Sequence, residues 1–313
     1  MELRIIFMGT ADLACSSLRA LVAQKEWAVI SVVTQPDRPK GRNLALQFSP
    51  VKKTALAANI PVLQPERAKE PAFFDELTRL QPDLIVVAAY GQILPRTILE
   101  LPRFGCLNVH TSLLPKYRGA APIQWAILED EQETGVTIMK MDAGLDTGDI
   151  LTQAATPIRA EDNAQTLHDR LAEMGADLLV KTVPDFVSGR IIPQPQPLEG
   201  ATYARKISRE DGRLDWCQPA RSLWNKVRAF TPWPGAYTHF GNAGVLLKIW
   251  EAAVAEEVSG AAGQIVQADK NGLVLRCGHG GLQLLQVQKE GGRRMSSQEF
   301  LAGHPLKPGD IFS

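Results

Sequence analysis

Short apolar runs alternate with amphipathic stretches of helical length over the first half of the chain. Leu3 to Met8 is a continuous apolar run ending at Gly9, and Leu13 to Val22 then shows the apolar spacing of a helix. The same succession continues downstream. It predicts strands at Val29 to Val33, Leu84 to Ala89, Leu107 to His110 and Val136 to Met141, and helices at Pro50 to Ala58, Pro71 to Leu80 and from Pro122 onward. Alternating strands and helices predict an α/β fold with a Rossmann-like, mainly parallel sheet.

The pattern changes near residue 189. A predicted helix from Ala164 to Val187 ends at Gly189, and prolines at positions 193, 195 and 197 then favour extended chain. Short strands separated by turn residues follow, which is typical of a small OB-like β-barrel. They are predicted at Val245 to Trp250, Gly263 to Val266, Gly272 to Cys277 and Gly281 to Val287. We therefore predict a first domain at 1–188, a linker at 189–206 and a C-terminal OB-like domain at 207–313.

Length and charge agree with two domains and limit the function. The chain has 313 residues, more than one core usually organises. Its 34 Lys and Arg balance 34 Asp and Glu, so the whole molecule carries no polyanion-binding signature. Residues 206–313 hold 13 basic and 10 acidic residues, a net charge of +3. No apolar run reaches about 18 residues and no signal-peptide pattern opens the chain, so we expect a soluble, cytoplasmic protein.

The cysteines suggest neither disulfides nor a metal. Cys15, Cys106, Cys217 and Cys277 are scattered, without a C-x-x-C pair. This distribution is typical of reduced thiols in a protein core. We therefore predict no metal site.

A polar cluster follows the strand predicted at Leu107 to His110. On a strand, Asn108 and His110 point to one side, where an open α/β sheet places its ligands. A second loop carries Asp142, Asp146 and Asp149 around two glycines, and a carboxylate beside His110 would fix its tautomer for acid/base catalysis. Asp146 is the carboxylate we pair with His110. From these residues alone, a buried Asn and His satisfied by backbone groups remains an equal alternative.

Other familiar motifs are missing or weak. The sequence contains no G-x-G-x-x-G, P-loop or G-x-S-x-G pattern, so nucleotide binding and a serine triad lose their main support. The loop from Gln35 to Arg42 carries three cations. Its spacing alone favours a solvated loop over a finger that contacts phosphates.

Taken together, the motifs match a known family. Asn108-x-His110-x-Ser112-Leu113-Leu114-Pro115, the segment from Tyr117 to Trp125, and Gly135-Val136-Thr137 through Asp146-x-Gly148 resemble the 10-formyltetrahydrofolate-dependent formyltransferases. The loop from Thr34 to Arg42, the segments at Lys206 and Trp216, and the C-terminal barrel resemble the members that formylate the initiator methionyl-tRNA. The resemblance covers essentially the whole chain.

The resemblance implies a role for each matching residue. Asn108, His110 and Asp146 correspond to the family's catalytic residues, and Ser112, Leu113, Leu114 and Pro115 to its folate-binding motif. The loop after Gln35 corresponds to one that approaches the tRNA acceptor end, which revises its interpretation and makes Arg42 the expected tRNA contact. The first domain is then catalytic and the OB-like domain binds tRNA. The implied co-substrate is 10-formyltetrahydrofolate, and we expect a monomer.

Three other functions compete with this interpretation. A formyltransferase acting on a 4-amino sugar nucleotide would share the catalytic motif and a similar second domain. Glycinamide ribonucleotide formylation would leave about 100 C-terminal residues without a purpose, since that enzyme resembles only the first domain. A non-enzymatic folate- or tRNA-binding module is disfavoured by the intact Asn108, His110 and Asp146.

Overall fold

The computed structural model describes residues 2–40, 45–241, 243–255 and 258–313. The chain divides into two compact units. One is drawn from residues 1–122, 133–157 and 168–204, and the other from residues 123–132, 158–167 and 205–313. The domain limits at 188 and 207 stay predictions.

The elements up to residue 204 follow the alternation expected from the sequence. In chain order they are β1 (Leu3–Gly9), α1 (Leu13–Val22), β2 (Trp27–Val33), β3 (Arg38–Lys40), β4 (Ala45–Gln47), α2 (Pro50–Ala57), β5 (Val62–Leu63), α3 (Pro71–Leu80), β6 (Leu84–Ala88), α4 (Arg96–Leu99), β7 (Cys106–His110), β8 (Arg118–Gly119), α5 (Pro122–Leu128), β9 (Glu133–Lys140), β10 (Ile150–Pro157), α6 (Ala164–Val187) and β11 (Tyr203–Ala204).

Seven of these strands form the sheet of the first unit, in the order β10-β9-β7-β6-β1-β2-β5. The ladders joining β7, β6, β1, β2 and β5 are parallel, whereas β9 is antiparallel to β7 and β10 to β9. The predicted α/β class with a mainly parallel, Rossmann-like sheet is confirmed. Strand β10 was missed because it is an edge strand, Ile150–Pro157, in which small and polar residues replace the apolar run of a central strand.

The central strands are buried on both faces. Every residue of β6 is buried, and Ile5, Ile6, Phe7 and Met8 of β1 have no exposed surface. A parallel strand covered by helices on both sides needs apolar side chains in both directions. Continuous apolar runs, rather than alternation, therefore identified these strands in the sequence.

The second unit is built on an antiparallel sheet. The elements beyond residue 204 are a 3₁₀ helix (Glu210–Gly212), α7 (Ala220–Ala229), β12 (Ala236–Phe240), β13 (Val245–Ala255), β14 (Ile265–Asp269), β15 (Gly272–Arg276), β16 (Gly281–Lys289), β17 (Met295–Ser296) and α8 (Ser297–Gly303). The sheet runs β12-β13-β16-β15-β14, with β17 paired to β16. Leu247 and Ile249 of β13, and Leu282 and Leu284 of β16, are fully buried at alternate positions, so one face forms the core.

Residues 310–313 connect the two edges of this sheet. Ser313 and His239, at the β12 edge, exchange two backbone hydrogen bonds of 2.8 and 2.9 Å. At the other edge, Ile265 N donates to Asp310 O at 2.8 Å, and Phe312 pairs with Gly263. In the described residues no ladder joins β12 to β14, so the sheet is not a closed barrel, and this segment bridges its two edges in an OB-like arrangement.

The cysteines differ from the prediction at one position. Cys15, Cys106 and Cys277 are buried, but Cys217 is exposed, which corrects the expectation of core thiols throughout. Cys217 lies in a turn after the buried Trp216, where its backbone N–H bonds the Asp215 carboxylate and its side chain faces outward. All four are free thiols. None of the helices in the described residues is long and apolar enough to span a membrane.

We expect iodoacetamide to alkylate the native protein at Cys217 and to leave Cys106 and Cys277 unmodified. The thiolate is the reactive species, and burial raises the pKa of Cys106 to about 12 and of Cys277 to about 11. Peptide mass spectrometry after a short exposure at mildly alkaline pH measures this. Protein unfolded in guanidinium is the control and should be modified at all four cysteines. Comparable native modification of Cys106 and Cys217 would contradict the prediction.

Candidate active site

Asn108 and His110 lie at the carboxyl end of β7, between β6 and β9. Asn108 is opposite Val87 on one side and Met139 on the other, and His110 is opposite Thr137. The two side chains are two residues apart on a strand and therefore share one face. His110 is only 6% exposed, so its ring is held inside the protein rather than in solvent.

The loop between β9 and β10 brings Asp146 to these two side chains. Asn108 Nδ2 donates to Asp146 Oδ1 at 3.2 Å, and His110 Nδ1 lies 3.7 Å from Oδ2. The backbone N–H of Gly119 donates to Oδ2 at 2.8 Å. The structure thus places the three predicted catalytic side chains together, around one carboxylate.

The opposite nitrogen of the His110 ring determines its tautomer. His110 Nε2 lies 2.9 Å from the carbonyl oxygen of Tyr117. A carbonyl only accepts hydrogen bonds, so Nε2 carries a proton. Nδ1 is therefore the nitrogen that is free to gain or lose a proton, and it is the one that faces Asp146.

The loop predicted to bind folate is held by Thr137 of β9. The Thr137 hydroxyl donates to Ser112 O at 2.7 Å and accepts from Leu114 N at 3.1 Å. Gln153 Nε2 donates to the same hydroxyl and to Leu114 O, both at 2.9 Å. Ser112 and Leu114 are buried, while Leu113 and Pro115 are half-buried. These bonds determine the backbone path of the loop directly after His110.

The carboxylate of Asp142 serves the β9–β10 loop itself. Asp142 accepts hydrogen bonds from the backbone N–H of Gly144 and the hydroxyl of Thr147, an arrangement of turn chemistry. A Cβ on Gly148 would lie 1.9 Å from Lys140 O, so only glycine fits there. Asp146 is therefore the aspartate of this loop that reaches His110. Within the described parts of the chain, no three His, Cys, Asp or Glu side chains are grouped in a way that could hold a metal ion.

Sequence reasoning missed a residue in direct contact with this arrangement. Gln196 donates through Nε2 to the backbone oxygens of Asp146 and Gly148, at 2.9 and 2.7 Å, and its Oε1 accepts from the buried Arg118. The only local signal was the alternation of Gln with Pro between residues 193 and 197. That pattern predicts extended chain, but it does not indicate which segment the chain lies against.

The expected tRNA contact, Arg42, lies outside the described residues. On either side of it, β3 and β4 form an antiparallel hairpin in which Arg38 is opposite Gln47. The role of Arg42 stays a prediction.

Comparison with known proteins identifies the family. The sequence model for "Formyl transferase" matches residues 3–183, and that for "Formyl transferase, C-terminal domain" matches residues 206–305. The chain belongs to the formyl transferase family, and it is a formyltransferase enzyme.

Comparison with individual proteins indicates which members of that family the chain resembles. The chain is 49% identical over 310 residues to the methionyl-tRNA formyltransferase of Caldanaerobacter subterraneus subsp. tengcongensis, covering 99% of each protein. It is 48% identical to the methionyl-tRNA formyltransferase of Geobacter sulfurreducens, covering 98% of this chain and 96% of that one. Among solved structures, a sugar 3N-formyl transferase, WlaRD, matches with a TM-score of 0.66 and 22% identity, over 92% of this chain and 98% of that one. At that identity the likeness shows a shared fold.

Replacing Asn108 by Ala is expected to lower kcat for formyl transfer by a factor of about 10² to 10³, with KM nearly unchanged. The variant removes a preorganised donor, a loss that typically costs about 2.7 to 4 kcal/mol of transition-state stabilisation. Steady-state kinetics measure it. Asn271→Ala, in an exposed turn of the second unit, is the matched control. Equal kcat values for the two variants would show that Asn108 takes no part in the reaction.

Proposed function

We propose that the protein transfers the formyl group of 10-formyltetrahydrofolate to the free amino group of methionyl-initiator tRNA, giving the formylmethionyl-tRNA used in translation initiation. Methionyl-tRNA formyltransferases nearly half identical over the full length support this substrate pair. The observation that carries the chemistry is the convergence of Asn108 and His110 on Asp146.

The central event is attack by an amine on the formyl carbon. A tetrahedral intermediate forms, and the former carbonyl oxygen becomes an oxyanion that must be stabilised by donors already in place. Asn108 Nδ2 has two N–H groups, of which one bonds Asp146 and the other remains to donate. A protonated His110 Nδ1 supplies a second donor from the same face of β7.

Asp146 orients His110 and assists proton movement. Its carboxylate lies 3.7 Å from His110 Nδ1. When the intermediate collapses, the bond from carbon to the folate N10 breaks, the attacking nitrogen loses a proton and N10 gains one. A water molecule bridging Asp146 and His110 would carry that proton.

The folate has apolar surface available at this edge of the sheet. Ile93, which follows β6, is 86% exposed, and Leu145, directly before Asp146, is 57% exposed. Exposed apolar side chains beside a polar cluster are typical of a ligand site, since a planar ring system covers them while polar groups orient it. We assign Ser112, Leu113, Leu114 and Pro115 to folate binding on the family resemblance, with Ser112 and Leu114 acting through the loop backbone.

The tRNA is expected to contact Arg42, the hairpin formed by β3 and β4, and the second unit. The hairpin is anchored at its base, where both ends meet one polar cluster. The Lys52 ammonium contacts the Asp37 carboxylate and donates to Gln64 Oε1. Gln64 Nε2 in turn donates to Gln35 O and Asp37 Oδ1, both at 3.0 Å. The hydrogen bond from Lys52 lowers the pKa of Asp37, so the carboxylate stays charged through neutral pH.

Removing the charge of Asp37 should weaken the use of tRNA more than the use of folate. We expect Asp37→Asn to raise KM for methionyl-tRNA by about fivefold, the factor that 1 kcal/mol gives, because the hairpin loses part of its anchor. KM for 10-formyltetrahydrofolate should stay nearly constant. Asp75→Asn, an exposed aspartate on α3, is the control. Equal effects on both KM values would argue against a hairpin role in tRNA binding.

One assay distinguishes the candidate substrates. We expect formyl transfer from 10-formyltetrahydrofolate to charged initiator methionyl-tRNA, and none to elongator methionyl-tRNA, a 4-amino sugar nucleotide or glycinamide ribonucleotide. Transfer only to a small amine would keep the chemistry and overturn the tRNA assignment. Absence of transfer to every acceptor would favour a folate- or tRNA-binding module.

Two further expectations accompany this function. We propose that the protein acts in the cytoplasm, where charged initiator tRNA is consumed by translation. We also propose that it acts as a monomer, since the three side chains of the candidate site come from one chain.

A further inference from the structure

The segment after α6 runs beside the candidate active site and is tied to it at both ends. We call residues 193–204 the strap. At its start, Gln194 and Ile150 of β10 exchange two backbone hydrogen bonds of 2.8 and 2.9 Å. At its end, Thr202 O accepts from Arg118 N at 2.9 Å, and β11 pairs in parallel with β8. The strap therefore joins the β9–β10 side of the sheet to the segment that follows the predicted folate loop.

The half-buried side chain of Gln196 lies between these attachment points with all of its hydrogen-bonding capacity used. Oε1 accepts from Arg118 Nε at 3.0 Å and from Nη2 at 2.8 Å. Nε2 donates to Asp146 O at 2.9 Å and Gly148 O at 2.7 Å. An amide has two acceptor positions and two N–H donors, so it is fully satisfied in this orientation. The reversed amide would place its donors against the guanidinium and its oxygen against two carbonyls.

The two groups joined by this amide belong to the two segments that hold His110. Asp146 faces His110 Nδ1, and its carboxylate accepts from Gly119 N, the residue after Arg118. Tyr117, the residue before Arg118, provides the carbonyl that holds His110 Nε2. The Gln196 side chain thus links the backbone of the Asp146 segment to the guanidinium of Arg118, the residue that follows Tyr117.

Asp146 also needs such support because of its own conformation. Its φ of +52° lies in the left-handed region, which a non-glycine residue adopts at a cost of about 1 to 3 kcal/mol and keeps only where its surroundings impose it. The two hydrogen bonds from Gln196 Nε2 bind the backbone oxygens of Asp146 and of the residue two positions later. They restrain the part of the chain where the strain is located.

We propose that Gln196 is a positioning residue for formyl transfer, which sets the separation of Asp146 from His110 by tying the 146–148 backbone to Arg118. It touches no reacting atom, and it acts through Asp146. The inference rests on the proposed function, because the reaction supplies the readout.

The test uses a substitution that keeps the hydrogen-bond acceptor of the amide and removes its donors. Gln196→Glu keeps acceptors for Arg118, with which it forms an ion pair, but loses both donors to Asp146 O and Gly148 O. We expect a kcat for formylation of methionyl-tRNA lower by about 10- to 100-fold, in the range that a misplacement of about 1 Å produces, with little change in either KM. The matched control is Gln194→Glu, which places the same charge in the same strap. The Gln194 side chain is exposed and donates to the nearby Ile192 O. The Gln194→Glu variant should have the same kcat as the unsubstituted protein.

A double-mutant cycle tests whether Gln196 acts through Asp146. In an Asp146→Asn background, Gln196→Glu should change kcat by less than about twofold, because the group it positions is already disabled. Multiplicative losses in the double variant would overturn the proposal, as would a kcat of Gln196→Glu equal to that of Gln194→Glu. Folate binding and the thermal unfolding midpoint of each variant distinguish loss of positioning from loss of fold. Failure of the unsubstituted protein to formylate methionyl-tRNA would instead refute the proposed function.

Discussion

The candidate site is arranged around the hydrogen bonds that the carboxylate of Asp146 accepts. It accepts from Asn108 Nδ2 and Gly119 N, and it faces His110 Nδ1. Asn108 and His110 come from strand β7, and Gly119 comes from the segment after the predicted folate loop. A charged acceptor with two directed hydrogen bonds is strongly oriented, since bonds to ionised groups are shorter and stronger than neutral ones. The direction in which His110 can exchange a proton follows from this orientation.

Close backbone approach makes that arrangement possible. Gly119 has a φ of +115°, and a Cβ there would lie 2.8 Å from Ala204 O on the strap. Glycine therefore allows β8 to pair with β11 while its own N–H bonds Asp146. A side chain at this position would move the strap away from β8, and the N–H would no longer be directed at the carboxylate. The geometry of the reacting groups thus depends on a residue that has no side chain.

In the second unit, two basic residues pack against one aromatic ring and pair with groups of the same unit. Two guanidinium groups lie against the Trp224 ring, with Arg221 at 4.5 Å and Arg228 at 3.8 Å from the ring centre. Arg221 also pairs with Asp130, and Arg228 donates to the backbone oxygens of Arg159 and Asp162. Burial lowers the pKa of Arg228 to about 10, so it remains charged at neutral pH. The net charge of this region therefore overstates the cations available to a phosphate backbone, and any attraction to tRNA comes from the remaining ones.

The sequence by itself determined the elements whose signals are local. Helix α6 was predicted with its observed bounds, Ala164–Val187, and the prolines at positions 50, 71 and 122 each begin a helix. The central strands were evident because burial on both faces demands a continuous apolar run. The spacing of Asn108 and His110 also implied one shared face. Tertiary structure alone decided that Tyr117 O determines the tautomer of His110, and that Gln196, 50 residues from Asp146 in sequence, contacts its backbone. Such contacts depend on the path of the whole chain, so they produce no periodic pattern in the sequence.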